Sequence, residues 1–405
     1  MTGIAGRHVV LGVSGGIAIY KACALARRLT EDGARVDVVM TASATEFIRP
    51  LTFEALTGRP VVTSLWDSGR ALDHVKLGRQ PDLIIVAPAT ARLIARAAQG
   101  MADDFLTALL LARRSPLLLC PAMNDQMYAH PETQANLERV RNAKGEGRGV
   151  VILGPATGPL AHGEGEGPGR MVEPEEILAH AERMLRSATP FAGRRVVVTA
   201  GPTREALDPV RVITNRSSGR MGYALARAAW VRGADVTLIS GPGLLAPPPG
   251  VDVVRVETTD DLLKAVSGAL PSADVLLMAA APADYRPAGA ASVGKTKRAD
   301  GAFSLALEPT PDVLGGTALR RRSGALVVGF ALETGDLVDG ARRKLEEKRL
   351  DLVVANDATE DGAGPEALTN RVALVTKDGV EQLPLMGKDD VAEAVLDRVA
   401  ALLSR

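Results

Sequence analysis

Cysteine is scarce in this chain. Cys23 and Cys120 are the two among 405 residues, and both sit in apolar contexts. Such a pair builds no disulfide framework, which points to a reducing, cytoplasmic home. Aromatic residues make up 3% of the chain, too few for a surface that stacks nucleic-acid bases. The 48 basic and 48 acidic side chains balance to a net charge of zero, so no polyanion-binding excess exists and no nucleic-acid partner is expected. No apolar run approaches the roughly 20 residues of a membrane-spanning helix, so no membrane partner is expected either. A strand is expected to begin by His8, so no signal peptide is expected. The sequence also lacks a metal-ligand cluster, a GxSxG elbow, a Walker lysine and a GxGxxG dinucleotide fingerprint. Arginine outnumbers lysine, a compositional habit that makes each lysine more informative.

What is present is a repeated alternation of strand and helix. The first half predicts strands at Val9–Val13, Arg35–Met40, Leu83–Ala87, Leu117–Cys120 and Val150–Leu153. Helices are predicted near 16–31, 90–98, 103–113, 131–141 and 174–186. Continuous apolar strands between helices mean a parallel sheet covered on both faces. After a break at 187–195 the pattern restarts, with strands at 195–199, 235–240, 252–256, 274–278, 325–330 and 351–354. Two short strands at 371–375 and 380–383 and a closing helix at 388–404 complete it. The expectation is two doubly wound α/β domains with largely parallel sheets, residues 1–188 and 189–405. Ligands of such sheets bind beyond the carboxyl ends of the strands. Two glycine-rich segments, 154–171 and 283–301, fit neither helix nor strand and are read as lids.

Two strand–turn–helix junctions have the make-up of anion sites. In 8-HVVLGVSGGIAIYK-21 a strand gives way to Ser14-Gly15-Gly16 and a helix whose apolar face is read as Ile17, Tyr20, Ala24 and Leu25. Free backbone N–H groups and the helix dipole there suit a mononucleotide phosphate, such as that of a flavin. In 196-VVVTAGPTREALDPVRVITNRSSGRMG-222 the connecting loop carries Arg204, Arg211, Asn215 and Arg216, and arginines add bidentate phosphate contacts.

Other candidates have two readings each. His74 is a possible general base, though a lone histidine is more often a core or surface residue. Asn124 either caps a helix or binds a carboxylate. Lys295 follows a glycine in a loop and either closes over a triphosphate or is solvated. Asp284 either bridges a divalent cation to phosphates or caps a turn. Phe330 ends a strand where an aromatic can support a nucleobase. Lys344 and Lys348, four apart on one helix, form an anion site or a salt-bridged surface.

Taken together these residues resemble the bacterial bifunctional phosphopantothenoylcysteine decarboxylase/phosphopantothenate–cysteine ligase family of coenzyme A biosynthesis. The likeness rests on GVSGGIAIYK (12–21), His74, APAT (87–90), PAMN (121–124), GPGRM (167–171), TAGPTREALDPVR (199–211), NRSSGRMG (215–222), KTK (295–297), PDV (311–313) and the lysines 344 and 348. It implies a flavodoxin-like flavoprotein domain followed by a Rossmann-like ligase domain. The ligase would join 4′-phosphopantothenate to L-cysteine using CTP and Mg²⁺ through an acyl-cytidylate. The decarboxylase would then use FMN to give 4′-phosphopantetheine.

The resemblance also assigns residues. FMN falls to Ser14, Gly15, Gly16, Ile17, Thr41, Ala87, Ala89 and Thr90. His74 and Asn124 match the decarboxylase's active-site histidine and carboxylate-binding asparagine. CTP falls to Met278, Ala279, Ala280, Asp284, Lys295, Pro311, Asp312, Val313, Leu314, Phe330, Lys344 and Lys348, with Asp284 at the metal. Lys295 would serve acyl-cytidylate formation, and Arg211 and Asn215 its conversion to the amide. Trimers through the first domain and dimers through the second are implied. One position departs from the family: His162 stands where its flap cysteine donates the final proton, and a histidine is an acid near neutral pH. The missing cysteine also fits a decarboxylase that stops at the ene-thiol, which the second domain opposes. A non-catalytic flavin-binding regulator is opposed by His74 and Asn124, and an NAD-dependent dehydrogenase by the missing fingerprint.

Overall fold

The computed structural model describes residues 3–66, 72–143, 149–186, 189–289, 294, 304–333, 335–357, 359–360 and 362–404. The chain divides into two compact units, Met1–Ser187 and Ala188–Arg405.

The first unit is built on a parallel sheet of β1 (His8–Val13), β2 (Arg35–Met40), β3 (Leu83–Ala89), β4 (Leu117–Pro121) and β5 (Val150–Ile152), in spatial order β2-β1-β3-β4-β5. Because successive side chains of a strand point to opposite faces, one apolar run feeds two cores. Val9, Leu11 and Val13 pack with Ala22, Leu25 and Phe53 on one face. Val10, Ile84 and Val86 pack with Leu93, Phe105 and Leu109 on the other. Strand order reverses between β1 and β3, which opens a crevice at their carboxyl ends.

The helix after β1 runs Ile19–Glu31 and buries Ile19, Ala22, Leu25, Ala26 and Leu29. Of the face expected from sequence only Leu25 is buried. Ala24 is exposed, and Ile17 and Tyr20 are 69% and 61% exposed, because the helix starts later than expected and turns those two toward the crevice. The segment 154–171 is not irregular either. Its Ala156–Pro159 (β6) and Glu166–Arg170 (β7) form an antiparallel hairpin. Its glycines are what permit this. A Cβ on Gly169 would lie 2.2 Å from the Met123 carbonyl oxygen, whereas the bare backbone accepts the Met123 N–H at 3.0 Å.

The second unit holds an eight-stranded sheet. In chain order its strands are β8 (Arg195–Ala200), β11 (Asp235–Ser240), β12 (Asp252–Arg255), β13 (Val275–Met278), β16 (Leu326–Glu333), β17 (Leu352–Asp357), β19 (Ala373–Thr376) and β20 (Gly379–Gln382). They lie in the order β12-β11-β8-β13-β16-β17-β19-β20; the first six are parallel, and the β17–β19 and β19–β20 pairings are antiparallel. The reversal between β8 and β13 again marks a crevice. Three pairs of short strands stand outside this sheet: β9 (Arg204–Ala206) with β10 (Val212–Thr214), β14 (Tyr285–Pro287) with β15 (Leu307–Pro309), and β18 (Thr369–Asn370) with β21 (Met386–Gly387). The second pair begins within 283–301, a segment read as irregular from sequence; residues 290–293 and 295–301 of it lie outside the described residues.

Helix Arg220–Val231 starts from Gly219, whose φ of 74° is a left-handed conformation open to glycine. It packs so close on β8 that a Cβ on Gly222 would stand 2.5 Å from the Ala200 Cβ and 2.7 Å from the Thr199 carbonyl oxygen. Gly222→Ala should therefore destabilise this unit by about 1–3 kcal/mol through overpacking. Urea denaturation followed by circular dichroism reads it, and an unchanged midpoint for this unit would contradict the packing argument.

Candidate active sites

The crevice of the first unit is a cavity of about 620 Å³. Ser14, Gly15, Gly16 and Ile17 form one wall and Thr41 and Ser43 another. Thr90, Arg92 and Arg96 approach from beyond β3, Met123, Asn124 and Met127 from beyond β4, and Leu160, Glu164 and Arg170 from the hairpin. Ser14, 2% exposed, holds the turn: its hydroxyl donates to the Pro88 carbonyl at 2.7 Å and accepts the Thr90 N–H at 3.0 Å. Gly15 is tightly placed, since a Cβ there would meet the Ser43 backbone at 2.5 Å. The Thr41 hydroxyl is buried without a protein partner, a polar atom facing a cavity that a ligand can satisfy.

Asn124 combines both of its sequence readings. Its Oδ1 accepts the Gln126 N–H at 2.9 Å, capping the helix Asp125–Ala129, and the residue lines the cavity. Ala87 and Ala89, expected as cofactor contacts, are fully buried in β3 with their methyls in the two cores and do not line it. His74 does not line it either. It lies on the helix Asp73–Arg79, edge-on to Phe105 with centroids 6.2 Å apart, and its Nδ1 is buried without a partner. His162 is exposed at the hairpin turn, outside the lining, whereas Glu164, two residues on, is within it.

Sequence reasoning missed Lys21. Its side chain is 5% exposed, and the ammonium donates to the Met171 carbonyl at 2.7 Å and to Glu173 at 3.0 Å; Arg170 reaches the same carboxylate at 2.6 Å. The cluster ties the helix after β1 to the base of the hairpin. The signal was available: a lysine among buried helix positions needs a partner.

In the second unit the expected nucleotide residues gather at the β13 and β16 ends. Met278 is 6% exposed and its sulfur takes the Thr199 hydroxyl at 3.3 Å; the same hydroxyl accepts the Ala280 N–H at 3.0 Å. Asp284 is tied at its backbone to Thr310. Asp312 caps the turn Val313–Gly316 and pairs with Lys348. Pro311 leads into this turn, where Val313 and Leu314 are buried. Lys344 donates to the Phe330 carbonyl at 2.6 Å. Burial holds its ammonium below the usual lysine range and Lys348 adds to this, while Glu333, Asp312 and Asp284 pull the other way. Lys344, Lys348, Asp312, Asp284 and Phe330 thus share one locality, with Ala279 following Met278 into it. Lys295 lies outside the described residues.

Two of the loop arginines are paired with carboxylates of their own unit. Arg204 faces Glu257 at 3.9 Å, and Arg211 is held by Asp208. Asn215 donates through Nδ2 to the Pro282 carbonyl at 2.9 Å, which links the loop before helix Arg220–Val231 to the segment after β13.

Two doubly wound α/β units in one chain, each with a reversal of strand order, define a two-domain α/β protein of the ligand-binding class. A flavoprotein family model matches residues 2–186, and that of the DNA/pantothenate metabolism flavoprotein C-terminal domain matches residues 191–403. The coenzyme A biosynthesis bifunctional protein CoaBC of Vibrio cholerae is 46% identical over 399 residues, 98% of each chain. That of Mycobacterium tuberculosis is 47% identical over 413 residues, 98% of this chain and 97% of the relative. A crystal structure of the C-terminal domain of a CoaBC protein is 39% identical, covering 53% of this chain and 98% of that one at a TM-score of 0.45. The chain belongs to the family of bifunctional coenzyme A biosynthesis proteins. It is an enzyme with phosphopantothenate–cysteine ligase and phosphopantothenoylcysteine decarboxylase activities, and its first unit is a flavoprotein domain.

Gly15 offers a sharp test of the first site. Gly15→Ala should purify without flavin colour, because the turn must move off Ser43. Gly16→Ala, whose Cβ would meet only the Thr90 methyl at 3.4 Å, should keep most of it. Visible spectra of the two variants decide, and a fully coloured Gly15→Ala would overturn the cradle.

Proposed function

We propose that the first unit holds FMN and decarboxylates phosphopantothenoylcysteine, and that the second forms that substrate from 4′-phosphopantothenate, L-cysteine and CTP with Mg²⁺. The observation that carries the reading is the cavity at the β1–β3 crevice. Its volume lies in the range of about 300–1,000 Å³ usual for such ligands, its Gly15 turn brings bare backbone N–H groups to an anion, and its Thr41 hydroxyl awaits a partner. When bound, the flavin supplies two-electron oxidation of the thiol and later reduction, which gives decarboxylation an electron sink. Ser14, Gly15, Gly16, Ile17, Thr41 and Thr90 would hold it. Asn124, with Oδ1 engaged in the cap, can turn its Nδ2–H₂ to the substrate carboxylate.

In the second unit the buried Lys344, with Lys348, would neutralise the triphosphate. Asp284 would share Mg²⁺ with it. Lys295, Arg211 and Asn215 keep the roles the family resemblance gives them. A cytoplasmic site of action fits the free Cys23 and Cys120. Because burial depresses Lys344, an arriving triphosphate should raise it and take up a proton. Calorimetry of CTP binding in alkaline buffers of differing ionisation enthalpy should show that uptake, and Lys344→Met should abolish it. Equal apparent enthalpies in all buffers would contradict it.

His74 needs a neighbour, since it is absent from the cavity lining of its own chain. We infer that the flavoprotein units assemble, as trimers, so that His74 of one protomer serves the cavity of the next; the second units would pair as dimers. Full-length His74→Ala and Asn124→Ala should each lack decarboxylation. Co-expressed, they should regain a substantial fraction of it, because mixed assemblies contain some intact sites. No recovery would sink the shared site.

The flap acid is His162, brought over the substrate by closure of the β6–β7 hairpin. Its proton would go to the ene-thiolate carbon. His162→Ala should then yield carbon dioxide but little 4′-phosphopantetheine, with the flavin left reduced. Glu164→Gln is the control, since Glu164 already lines the cavity. A full product yield from His162→Ala beside a block in Glu164→Gln would move the role to the carboxylate.

A further inference from the structure

Asp208 sits in the turn between β9 and β10 with its side chain fully buried, 0% exposed. A carboxylate removed from water costs several kcal/mol unless donors surround it. Here they do. Oδ1 accepts the backbone N–H groups of Val210 and Arg211, each at 2.9 Å. Oδ2 accepts Nε of Arg211 at 2.9 Å and Nη2 of the same guanidinium. The Leu207 N–H closes the turn by donating to the Arg211 carbonyl at 2.9 Å. One carboxylate thus fixes both the backbone and the head group of one arginine, which is itself 45% exposed.

A turn needs only the Oδ1 contacts; many Asp residues make them with no arginine involved. The Oδ2 contacts add nothing to the turn. They lock a long side chain whose fork geometry matters only where its direction matters. Nε and Nη2, two donors of one edge of the fork, both face Asp208, so the plane and direction of the guanidinium are set by that carboxylate. The base of the hairpin is tied down as well: Thr214 donates to the Thr203 carbonyl, and Asn215, the next residue, donates to the Pro282 carbonyl beyond β13.

We propose that Asp208 is a positioning residue for ligation, holding Arg211 in the direction needed at the amide-forming step. This rests on the reading that Arg211 acts in that step. There the cysteine nitrogen forms the C–N bond and the acyl C–O bond to the cytidylate phosphate breaks. CMP leaves with the electron pair, and the ammonium proton passes to water. A fixed guanidinium stabilises the negative charge that builds on the acyl and phosphate oxygens without having to reorganise. An arginine free to rotate loses that advantage, and misplacement by about 1 Å can cost on the order of a hundredfold in rate.

The experiment uses the full-length protein as Asp208→Asn, Arg211→Gln and the double variant, with phosphopantothenate, cysteine, CTP and Mg²⁺. Asparagine keeps the Oδ1 acceptor for the turn and removes the charged clamp. Expected for Asp208→Asn are a normal burst of pyrophosphate, acyl-cytidylate accumulation, an unchanged KM for CTP, and a fall in amide formation of about ten- to a hundredfold. The double variant should be no slower than Arg211→Gln alone, since both remove one unit. Decarboxylation of supplied phosphopantothenoylcysteine should be unaffected. If Asp208→Asn ligates normally while Arg211→Gln fails, or if the two defects multiply, the positioning role is overturned. If Arg211→Gln itself ligates normally, the underlying reading of Arg211 falls first. Where Asp208→Asn melts early, the comparison is made below its transition, and the coupling with Arg211→Gln still decides.

Discussion

Both crevices depend on backbone lying directly against backbone. At Gly15 the chain rests on Ser43, at Gly169 on Met123, at Gly222 on Thr199 and Ala200, and at Gly241 on Pro202. A Cβ at Gly241 would come within 1.8 Å of the Pro202 carbonyl oxygen, so no side chain is compatible with that geometry. The consequence is chemical. Close approach leaves N–H groups exposed where a strand hands over to a helix, which is where an anionic ligand is best stabilised. The apolar strands behind, with Val10, Leu11, Ile84 and Val198 fully buried, supply a rigid platform.

Charge is arranged differently in the two units. In the flavoprotein unit, buried Lys21 is met by Glu173 and by a backbone carbonyl, and its role is to join elements. In the ligase unit, Lys344 is met by a carbonyl and by carboxylates acting from a distance, and burial keeps its proton loosely held. A ligand with several negative charges is the natural complement of the second arrangement, a planar ring with a single phosphate of the first.

The sheets were legible because period and length agreed. Runs such as Leu83–Ala87 and Val196–Thr199, separated by helical patterns, leave little besides parallel strands. The hairpin at 154–171 was not legible. Its strands are Gly- and Pro-rich, and what fixes them is contact with Met123 and Asp125, far away in sequence. Ile17 and Tyr20 misled for a related reason: apolar spacing says that a face is covered, not whether protein or ligand covers it. Asn124, Thr90 and Ser14, singled out from their motifs, do line the cavity. Lys21 was passed over although its place among buried helix positions called for a partner, and Asp208 because a DP pair does not announce that its carboxylate is buried. His74 has the family's motif and yet lies outside its own cavity's lining, a spatial fact to which sequence has no access.

The central claim is that each crevice carries one chemistry and that the flavin serves only one of them. The most direct measurement strips the flavin from the full-length protein and supplies phosphopantothenate, cysteine, CTP and Mg²⁺. The account predicts pyrophosphate release and accumulation of phosphopantothenoylcysteine without carbon dioxide, and conversion to 4′-phosphopantetheine once FMN is restored. Ligation that stops with the flavin removed, in a protein that remains folded, or decarboxylation that continues without it, would contradict the account.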